Sequence, residues 1–422
     1  MKLEIGFGKK PQTVEIPDEN LLGILEPNEV SVRYTGMRAV SDALSNPVGT
    51  PKLREIVKSG ETVAIITSDI TRPLPSRVVL PPLLDELWAA GVKPDDVVVV
   101  FALGSHRRHT TEEKRKLVGD DVFESVLCID ADSDDVVHMG KTSLGTPVDV
   151  TRIVAEADRR IGIGNIEYHY FAGYSGGAKA IMPGVSTREA IQSNHSRMVL
   201  PGARAGNLED NPVRNDLEEA IQYCPLDFIV NVVLDEKKEI MHASAGHFIH
   251  AHRKACGFLD SLYRKEIPVR ADIVIASQGG SPKDLNLYQT QKALDNAAYA
   301  VKQGGLIILV GRCDEGMGED VFEEWMTSAP TSDSLIERIA GEFRLGGHKA
   351  AAIAMTLKNA EIFLVSELEP DFVKRIFLQP YSSVQAALDA ALVKKGKDAS
   401  IFVMPHAGST LPVVKGGENV ML

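Results

Sequence analysis

Short apolar runs, rich in valine and isoleucine and without polar alternation, recur along this chain of 422 residues. Strands of this kind are buried on both faces, which is typical of a parallel sheet covered by helices. The predicted strands are residues 62–68, 97–103, 160–163, 228–234, 272–276, 306–310, 362–365 and 401–404. Amphipathic stretches lie between them, and the predicted helices are residues 78–90, 112–118, 179–193 and 248–263.

This alternation predicts an α/β protein with two α/β domains and largely parallel sheets. The charged stretch Arg264–Arg270, with Pro268 inside it, separates two regular units and is a candidate hinge. We therefore expect a first domain over residues 1–267 and a second over 268–404. Whether the tail, residues 405–422, returns to the first domain is left open.

Composition narrows the classes of function. The net charge of −12 argues against broad binding of nucleic acid or of a membrane surface, so an anionic substrate needs a local cluster of cations. The four cysteines are far apart and form no CxxC pair, which argues against a disulfide framework or a thiolate zinc site. The first ten residues hold no apolar signal segment, and no stretch of about 18 apolar residues occurs. We expect a soluble, cytoplasmic enzyme.

Polar motifs follow two predicted strands directly. Asp69-Ile-Thr-Arg-Pro73 comes after the strand 62–68, and Leu103-Gly-Ser-His-Arg107 ends the strand 97–103. The carboxyl ends of strands are where open α/β sheets bind ligands. Arg72 can hold a carboxylate or phosphate with two hydrogen bonds, and His106 is expected in the same crevice. Alternatively, Asp69 only caps the following helix, and His106 is an ordinary surface residue.

The segment from Gly164 to Lys179 is the most distinctive in the chain. It continues a predicted strand into a glycine-rich loop and then into a helix expected to begin near Gly177. Free N–H groups at such a helix start suit a phosphate. The loop is not a P-loop, because Ala178 and Ala180 replace the required glycine and hydroxyl residue. Lys179 can be a phosphate contact, a Schiff-base lysine or a covalent anchor.

Three further groups bear on chemistry. His195, in Ser193-Asn-His, is a candidate ligand for nickel, copper or zinc, and Pro183-Gly184 provides the chain break it needs to share a site with Lys179. Lys292, in Tyr288-Gln-Thr-Gln-Lys292, lies on a predicted helix and is either a cleft residue or an exposed lysine. A cluster of histidines lacks the spacing of a zinc motif and is interpreted as structural: His242, His247, His250 and His252.

Together these motifs resemble the lactate racemase family, the nickel-pincer racemases and epimerases of 2-hydroxy acids. The matching segments are DITRP, LGSHR, HYFAGYSGGAK, SNH and YQTQK, in that order, with Gly346-Gly-His-Lys349 near the end. The most specific part is the glycine-rich segment with its lysine, followed sixteen residues later by a histidine.

The resemblance implies an active site in the cleft between two domains. It implies a derivative of nicotinic acid mononucleotide with two sulfur donors and a nickel–carbon bond, tethered covalently to Lys179, with nickel bound by His195. His106 and His169 match the acid/base pair. Substrate contacts are expected from Arg72, Gln289 and Lys292, with Tyr288 a candidate for contact with the substrate side chain. Nucleotide contacts are expected from Asp69, Thr71, Gly173, Tyr174, Ser175, Gly176 and Gly177.

The predicted activity is racemisation or epimerisation of a 2-hydroxy acid, lactate or a related acid, by reversible hydride transfer to the nucleotide. Inversion needs a proton carrier for the hydroxyl of each enantiomer, and histidine, with an ordinary pKa of about 6.5, suits both directions. Enzymes that make the cofactor are expected in the host. Two alternatives stay open: an α/β oxidoreductase or hydrolase, although we recognise neither a GxGxxG nor a GxSxG motif in support of it, and a nucleotide-binding relative without this catalysis. The motifs do not identify the acid.

Overall fold

A computed structural model describes residues 1–104 and 106–416. The strands, numbered along the chain, are β1 (Lys2–Ile5), β2 (Gln12–Glu15), β3 (Leu21–Ile24), β4 (Val63–Ser68), β5 (Val97–Ala102), β6 (Leu127–Asp130), β7 (Val136–Lys141), β8 (Pro147–Thr151), β9 (Arg159–Asn165), β10 (Tyr168–His169), β11 (Gly173–Tyr174), β12 (Phe228–Leu234), β13 (Ile240–Gly246), β14 (Arg264–Ile267), β15 (Ala271–Ser277), β16 (Val301–Val310), β17 (Ala360–Val365), β18 (Gln379–Tyr381), β19 (Ile401–Met404) and β20 (Leu411–Val414).

The helices between them are α1 (Gly36–Ser45), α2 (Leu53–Ile56), α3 (Ser76–Ala89), α4 (Thr111–Val118), α5 (Asp120–Ser125), α6 (Arg152–Ala155), α7 (Arg188–His195), α8 (Pro212–Ala220), α9 (His250–Tyr263), α10 (Leu287–Ala297), α11 (Asp320–Ser328), α12 (Ser332–Gly341), α13 (Gly347–Leu357), α14 (Pro370–Arg375) and α15 (Val384–Lys395). Short 3-10 turns occupy Pro94–Asp96, Gly177–Ala180 and Ser196–Val199. Over the part of the chain that is described, no helix is long and apolar enough to cross a membrane.

The chain divides into two compact units. The first, Val30–Ser261, is continuous and is called the 30–261 unit. The second, called the discontinuous unit, joins Met1–Glu29 to the chain from Leu262 onward.

A six-stranded sheet forms the centre of the 30–261 unit as far as that unit is described. Its strand order is β13-β12-β9-β4-β5-β6. All neighbours are parallel except β12 and β13. The valines and isoleucines of β4 and β12 are buried on both faces, and each such side chain stabilises the fold by about 1.5–3 kcal/mol relative to an exposed one. This core holds the strand ends, and the residues just beyond them, in fixed positions.

The described part of the discontinuous unit holds a second six-stranded sheet, all parallel, in the order β18-β17-β16-β15-β19-β3. Its core is made by the inward faces of these strands with α15 and the β1–β2 hairpin. A short parallel pair, β14 with β20, joins the residues after α9 to the end of the described chain. The prediction of two α/β units with largely parallel sheets is confirmed.

The division of the chain differs from the predicted boundary at residue 267. Residues 1–29 belong with the C-terminal sheet, because β3 pairs with β19 as its edge strand and Val14 and Ile16 enter that core. The tail as far as Gly416 also stays in this unit, where β20 pairs with β14. The N-terminal strands are short and partly exposed, so the sequence carried little signal for this return.

The predicted helix 179–193 was wrong. A 3-10 turn ends at Ala180, the chain turns through Pro183 and Gly184, and α7 begins only at Arg188, where the hydroxyl of Thr187 accepts from the N–H of Ala190. Proline and glycine interrupt the helical hydrogen bonds here, while Ile181, Met182 and Val185 are buried and explain the helix-like spacing of apolar residues. The chain therefore turns between Lys179 and His195, as a site shared by these two residues would require.

Candidate active site

Three neighbouring strands of the 30–261 unit carry the three predicted motifs at their carboxyl ends. β4 pairs in parallel with β5 on one side and with β9 on the other. β4 leads into Asp69–Arg72, β5 into the loop that holds His106, and β9 into the segment that ends at Lys179. The structure therefore brings these motifs to one edge of the sheet, where α/β sheets bind ligands.

His106 and Asp69 form a close pair at this edge. The Nδ1 atom of His106 lies 2.7 Å from Oδ2 of Asp69, and 32% of the imidazole surface is exposed. Because a carboxylate accepts hydrogen bonds, the ring donates from Nδ1 and keeps Nε2 free to accept a proton. Burial raises the pKa of Asp69, but the hydrogen bond and charge of His106 outweigh it, and the net pKa lies below the ordinary value.

Thr71 completes this pair. Its hydroxyl donates to Oδ1 of Asp69 at 2.9 Å and lies 3.4 Å from Nδ1 of His106. Asp69 and Thr71 were assigned to the nucleotide from the sequence. In the structure, their side chains contact each other and His106, so they orient the imidazole.

A second histidine–carboxylate pair holds the loop after β4. Nδ1 of the buried His109 lies 2.6 Å from Oδ1 of Asp130, and its Nε2 accepts from the backbone N–H of Ile70 at 3.0 Å. Lys114 pairs with the same carboxylate at 3.0 Å. His109 thereby fixes the backbone between Asp69 and Arg72.

The glycine-rich segment forms a tight hairpin in which β10 pairs with β11 and His169 lies opposite Gly173. Gly173 has a φ of +76°, and a Cβ there would lie 2.0 Å from the carbonyl oxygen of Asn207. Gly176 has a φ of +73°, and a Cβ there would lie 2.4 Å from the Ile166 side chain. Only glycine fits these positions.

The expected helix start at Gly177 is not a helix terminus in the usual sense. The 3-10 turn there has four residues, and the N–H of Gly177 donates to Oδ1 of Asn231 at 3.0 Å. The argument from a helix dipole to a phosphate site therefore does not hold, although contact of this loop with a nucleotide stays a prediction.

The carbonyl groups of the hairpin are held from behind by α8 and α9. Arg214, fully buried on α8, donates to the carbonyl oxygens of Ala172 at 3.2 Å, Gly176 at 3.4 Å and Tyr174. Nε2 of His252, on α9, lies 2.8 Å from the carbonyl oxygen of Ser175. Desolvation lowers the pKa of Arg214 to about 10. The loop is thus a rigid part of the site.

Gly173-Tyr-Ser-Gly-Gly177 also matches the GxSxG spacing of α/β hydrolases, which the sequence interpretation missed. In a hydrolase that serine stands exposed on a turn between a strand and a helix. Here the hydroxyl of Ser175 donates to the carbonyl of Asn165 at 2.6 Å and accepts from the N–H of Glu167 at 2.7 Å. Ser175 therefore ties the base of the hairpin together and is not placed as a nucleophile.

Basic side chains converge beside the hairpin. The pKa of Lys179 is lowered well below its ordinary value by desolvation and by the charges of Arg72 and Arg214. The pKa of His169 is likewise lowered, first by desolvation and then by Lys179, Arg72 and His195. The imidazole of His169 is therefore uncharged at neutral pH, and the amine of Lys179 loses its proton more readily than an exposed lysine does. Nδ1 of His169 accepts from the N–H of Ala172 at 3.3 Å, so the neutral ring carries its proton on Nε2.

His195 is the last residue of α7. Its Nδ1 lies 3.0 Å from Oδ1 of Asn194, and its ring meets the ring of Phe171 edge to face, with centroids 4.8 Å apart. This ring is the candidate metal ligand.

No group of three or more histidine, cysteine, aspartate or glutamate side chains is arranged to hold a metal ion within residues 1–104 and 106–416. The histidine cluster near α9 does not form one. His247 and His250 have ring centroids 4.9 Å apart, His242 stacks on Phe258 at 4.5 Å, and His252 contacts the hairpin carbonyl.

Tyr288, Gln289 and Lys292, the predicted substrate contacts of the second domain, lie on α10 of the discontinuous unit. Asn286 caps this helix by accepting from the N–H of Gln289 at 3.0 Å. The Tyr288 ring packs against Phe322 and lies 5.1 Å from the amine of Lys349.

The same helix carries a buried polar chain. The amine of Lys349 donates to Oε1 of Gln291 at 2.6 Å, and the amide of Gln291 donates to Asp295. Burial raises the pKa of Asp295 to about 6, against the opposing charge of Lys349.

Family models match most of the chain. The lactate racemase N-terminal domain matches residues 7–206, and the lactate racemase C-terminal domain matches residues 267–411. The chain belongs to the lactate racemase family. Like other members of the lactate racemase family, it is an isomerase of the racemase kind.

Two curated members of the lactate racemase family are similar over nearly full length. The lactate racemase of Thermoanaerobacterium thermosaccharolyticum is 34% identical over 421 residues, which cover 97% of this chain and 98% of the relative. That of Lactiplantibacillus plantarum is 32% identical over 417 residues, covering 96% and 97%. The solved apoprotein of the former superposes with a TM-score of 0.90 at 33% identity, covering 98% of this chain and all of that one.

Several residues that shape this candidate site had no recognisable signal in the sequence. Arg214 is the clearest case, because an arginine on a helix is usually exposed. His109 and Asp130 are separated by 21 residues and become a pair only through the parallel contact of β5 and β6. The long-range partners of a loop depend on strand order, which single motifs do not encode.

Proposed function

We propose that this protein racemises or epimerises a 2-hydroxy acid, lactate or a close relative, with His106 and His169 as its acid/base pair. The observation that carries the proposal is the placement of two histidines beyond β5 and β9, the strands that flank β4, each with a hydrogen bond that defines its tautomer. Asp69 holds one ring with its proton on Nδ1, and desolvation among cations keeps the other neutral. Simple binding of a nucleotide does not require such a pair.

The residues beside the hairpin fit a nickel-bearing nucleotide tethered to Lys179. The uncharged amine is the nucleophilic form of lysine, and desolvation together with the charges of Arg72 and Arg214 favours that form of Lys179. Arg72 lies close enough to lower the pKa of that amine, so it is placed to meet an anionic group. His195 offers one imidazole, which is an accepted ligand for nickel. The family resemblance assigns the remaining donors to the nucleotide itself.

The bound nucleotide would supply the acceptor for the hydride that leaves the α-carbon of the substrate. The chain's own groups do the rest. Nε2 of His106 takes the hydroxyl proton of one enantiomer, and Asp69 stabilises the imidazolium that forms. His169 serves the other enantiomer, since its low pKa keeps it neutral. Arg72, with Gln289 and Lys292, is assigned to the carboxylate, and Tyr288 to the side chain of the substrate. The Gly173–Gly177 loop is assigned to the nucleotide.

The test uses protein purified from a host that also makes the cofactor. Turnover of single enantiomers in heavy water is followed by chiral separation and mass analysis of the product. We expect inversion with the α-hydrogen retained, and loss of inversion by about 10²–10⁴-fold in His106→Gln and His169→Gln. Rapid uptake of deuterium at the α-carbon would rule out hydride transfer. Peptide mapping should find the added mass on Lys179 and none in Lys179→Arg.

A further inference from the structure

His195, at the end of α7, is the first of three side chains connected in series by hydrogen bonds. Oδ1 of Asn194 lies 3.0 Å from Nδ1 of His195, and Nδ2 of Asn194 lies 2.8 Å from Oδ2 of Asp216. Asn194 and Asp216 are both fully buried. We propose that Asp216 and Asn194 form a relay that holds the proton of His195 on Nδ1 and thereby directs Nε2 to the metal.

The orientation of the Asn194 amide follows from its surroundings. Its Nδ2 faces two acceptors, the Asp216 carboxylate at 2.8 Å and the carbonyl oxygen of Val213 at 3.1 Å. Turning the amide over would point an oxygen at both and leave a buried carboxylate without that donor, at a cost of about 1–3 kcal/mol or more. The NH₂ group therefore faces Asp216, and the amide oxygen faces His195.

That orientation decides the tautomer of the imidazole. An amide oxygen only accepts, so Nδ1 of His195 must be the donor at 3.0 Å. A neutral imidazole carries one N–H, which leaves the lone pair on Nε2. The edge-to-face contact with Phe171 limits rotation of the same ring. Both the tautomer and the plane of the ligand are thus set by the protein before a metal arrives.

Asp216 is itself held from several sides. Thr142 donates to Oδ1 at 2.5 Å, Thr146 donates to Oδ2 at 2.7 Å, and Arg197 pairs with Oδ2 at 3.4 Å. A buried carboxylate is destabilising unless its oxygens accept hydrogen bonds, and both oxygens of Asp216 do so. The anchor of the relay is therefore a fixed charge on α8, supported by the loop between β7 and β8 and by the 3-10 turn Ser196–Val199.

The inference rests on the proposed function, since it gives His195 its role as ligand. Partners behind a ligating histidine typically change metal affinity by about 10–100-fold. Asn194→Ala removes the acceptor for Nδ1 while leaving His195 in the chain. Thr142→Val is the matched control, because it removes a donor from the same carboxylate without contacting His195.

The first measurement needs no metal. Cofactor-free protein labelled with ¹⁵N-histidine is recorded at about pH 8, where an ordinary imidazole is neutral, by long-range ¹H–¹⁵N correlation. The His195 signals are those lost in His195→Gln. We expect the proton on Nδ1 in the parent and in Thr142→Val, and a shift towards Nε2 in Asn194→Ala. A parent spectrum with the proton on Nε2 would overturn the relay, even if Asn194→Ala fails to fold.

The second measurement is nickel retained by the loaded protein during dialysis against a chelator. Asn194→Ala should hold nickel about 10–100-fold more weakly while its Lys179 peptide keeps the added mass, whereas Thr142→Val should match the parent. Retention in Asn194→Ala equal to that of the parent would refute a role of the relay in metal binding. If His195→Gln keeps its nickel, the proposed ligand is wrong, and the tautomer result stands independently.

Discussion

The carboxylate of Asp69 faces Nδ1 of His106, whereas the proposed mechanism uses Nε2 to receive the substrate proton. It fixes which nitrogen is the base, and its negative charge favours the imidazolium that catalysis creates. In Asp69→Asn the amide can present either oxygen or nitrogen to Nδ1, so the tautomer is no longer fixed. We expect the racemisation rate to fall by about 10²-fold or more with a much smaller change in KM. The control is Asp158→Asn, which changes an exposed carboxylate away from the site. A rise in KM with an unchanged kcat in Asp69→Asn would contradict this role.

The lowered pKa of Asp69 also predicts that the free energy of unfolding depends on pH. The folded-state pKa of Asp69 is depressed, so its contribution to the free energy of unfolding is fully present above its unfolded pKa of about 3.9 and is lost as pH falls through the folded value. The parent should be more stable than Asp69→Asn at about pH 4.5, and the gap should close as pH falls further. Urea unfolding at several pH values measures it. A gap that persists in stronger acid would show that the carboxylate is not the cause.

Lys179 is expected to cost stability until its cofactor is attached. In the unfolded chain the amine is protonated below about pH 10.4, whereas in the folded protein desolvation, Arg72 and Arg214 lower its pKa. Folding therefore disfavours the protonated amine, which opposes folding at every pH below the unfolded pKa. Cofactor-free Lys179→Met should therefore be more stable than the parent at about pH 7, and the difference should shrink as pH rises towards 10. Chemical unfolding measures this, with exposed Lys93→Met as a control that should show no such trend.

At the scale of elements, α8 is the support on which the hairpin rests. Its N-cap Asn211 donates to the carbonyl oxygen of Phe171 at 2.8 Å, and one turn later Arg214 donates to three further hairpin carbonyls. Asp216, on the same helix, anchors the side chain that contacts His195. One helix thus positions both the glycine-rich loop and the candidate ligand, although it contributes no residue to either motif.

Arg214→Met tests this support. It leaves carbonyl groups of the hairpin without their buried donor, and each costs about 1–3 kcal/mol, so we expect a loss of about 3 kcal/mol or more in the free energy of unfolding. Amide hydrogen exchange of residues 172–177 should also increase. Arg160→Met removes two comparable donors from carbonyls of α6 and should leave exchange at 172–177 unchanged. Unchanged exchange in Arg214→Met would show that the hairpin is held by other contacts.

For the whole molecule, the sequence predicted well wherever one short segment was sufficient. Runs such as Phe228–Leu234 and Ile401–Met404 were predicted with the observed bounds, because a buried parallel strand needs only continuous apolar residues. The positions of Asp69, His106 and Lys179 beyond β4, β5 and β9 were predicted in the same way, because each of those strands also contains a short apolar run. The helix at 179–193 failed, because buried apolar residues around Pro183 imitate helical spacing. The support by Arg214 and Asp216 was missed, because it depends on contacts between distant segments.

The two units also predict how fragments behave. Residues 30–261 are continuous and hold their own sheet and core, so that fragment should fold alone, with a cooperative thermal transition. Residues 262–422 lack β1, β2 and β3, and Val14 and Ile16 are missing from the core, so they should fold poorly alone. Adding a peptide of residues 1–29 should restore the transition. A cooperative transition of residues 262–422 without that peptide would contradict the assignment.

The pairing of β3 with β19 has a consequence for biosynthesis. A chain leaves the ribosome from its N-terminus, so β3 is made among the first strands, whereas Ile401–Met404, its neighbour in the sheet, emerges close to the end of translation. Domains generally fold as they emerge. The 30–261 unit, which contains His106, His169 and Lys179, is therefore expected to fold first. Residues 1–29 remain without their sheet until translation is almost complete. A nascent chain stalled before Ile401 already holds Lys179 in a folded unit, while β3 still lacks β19, its neighbour in the sheet.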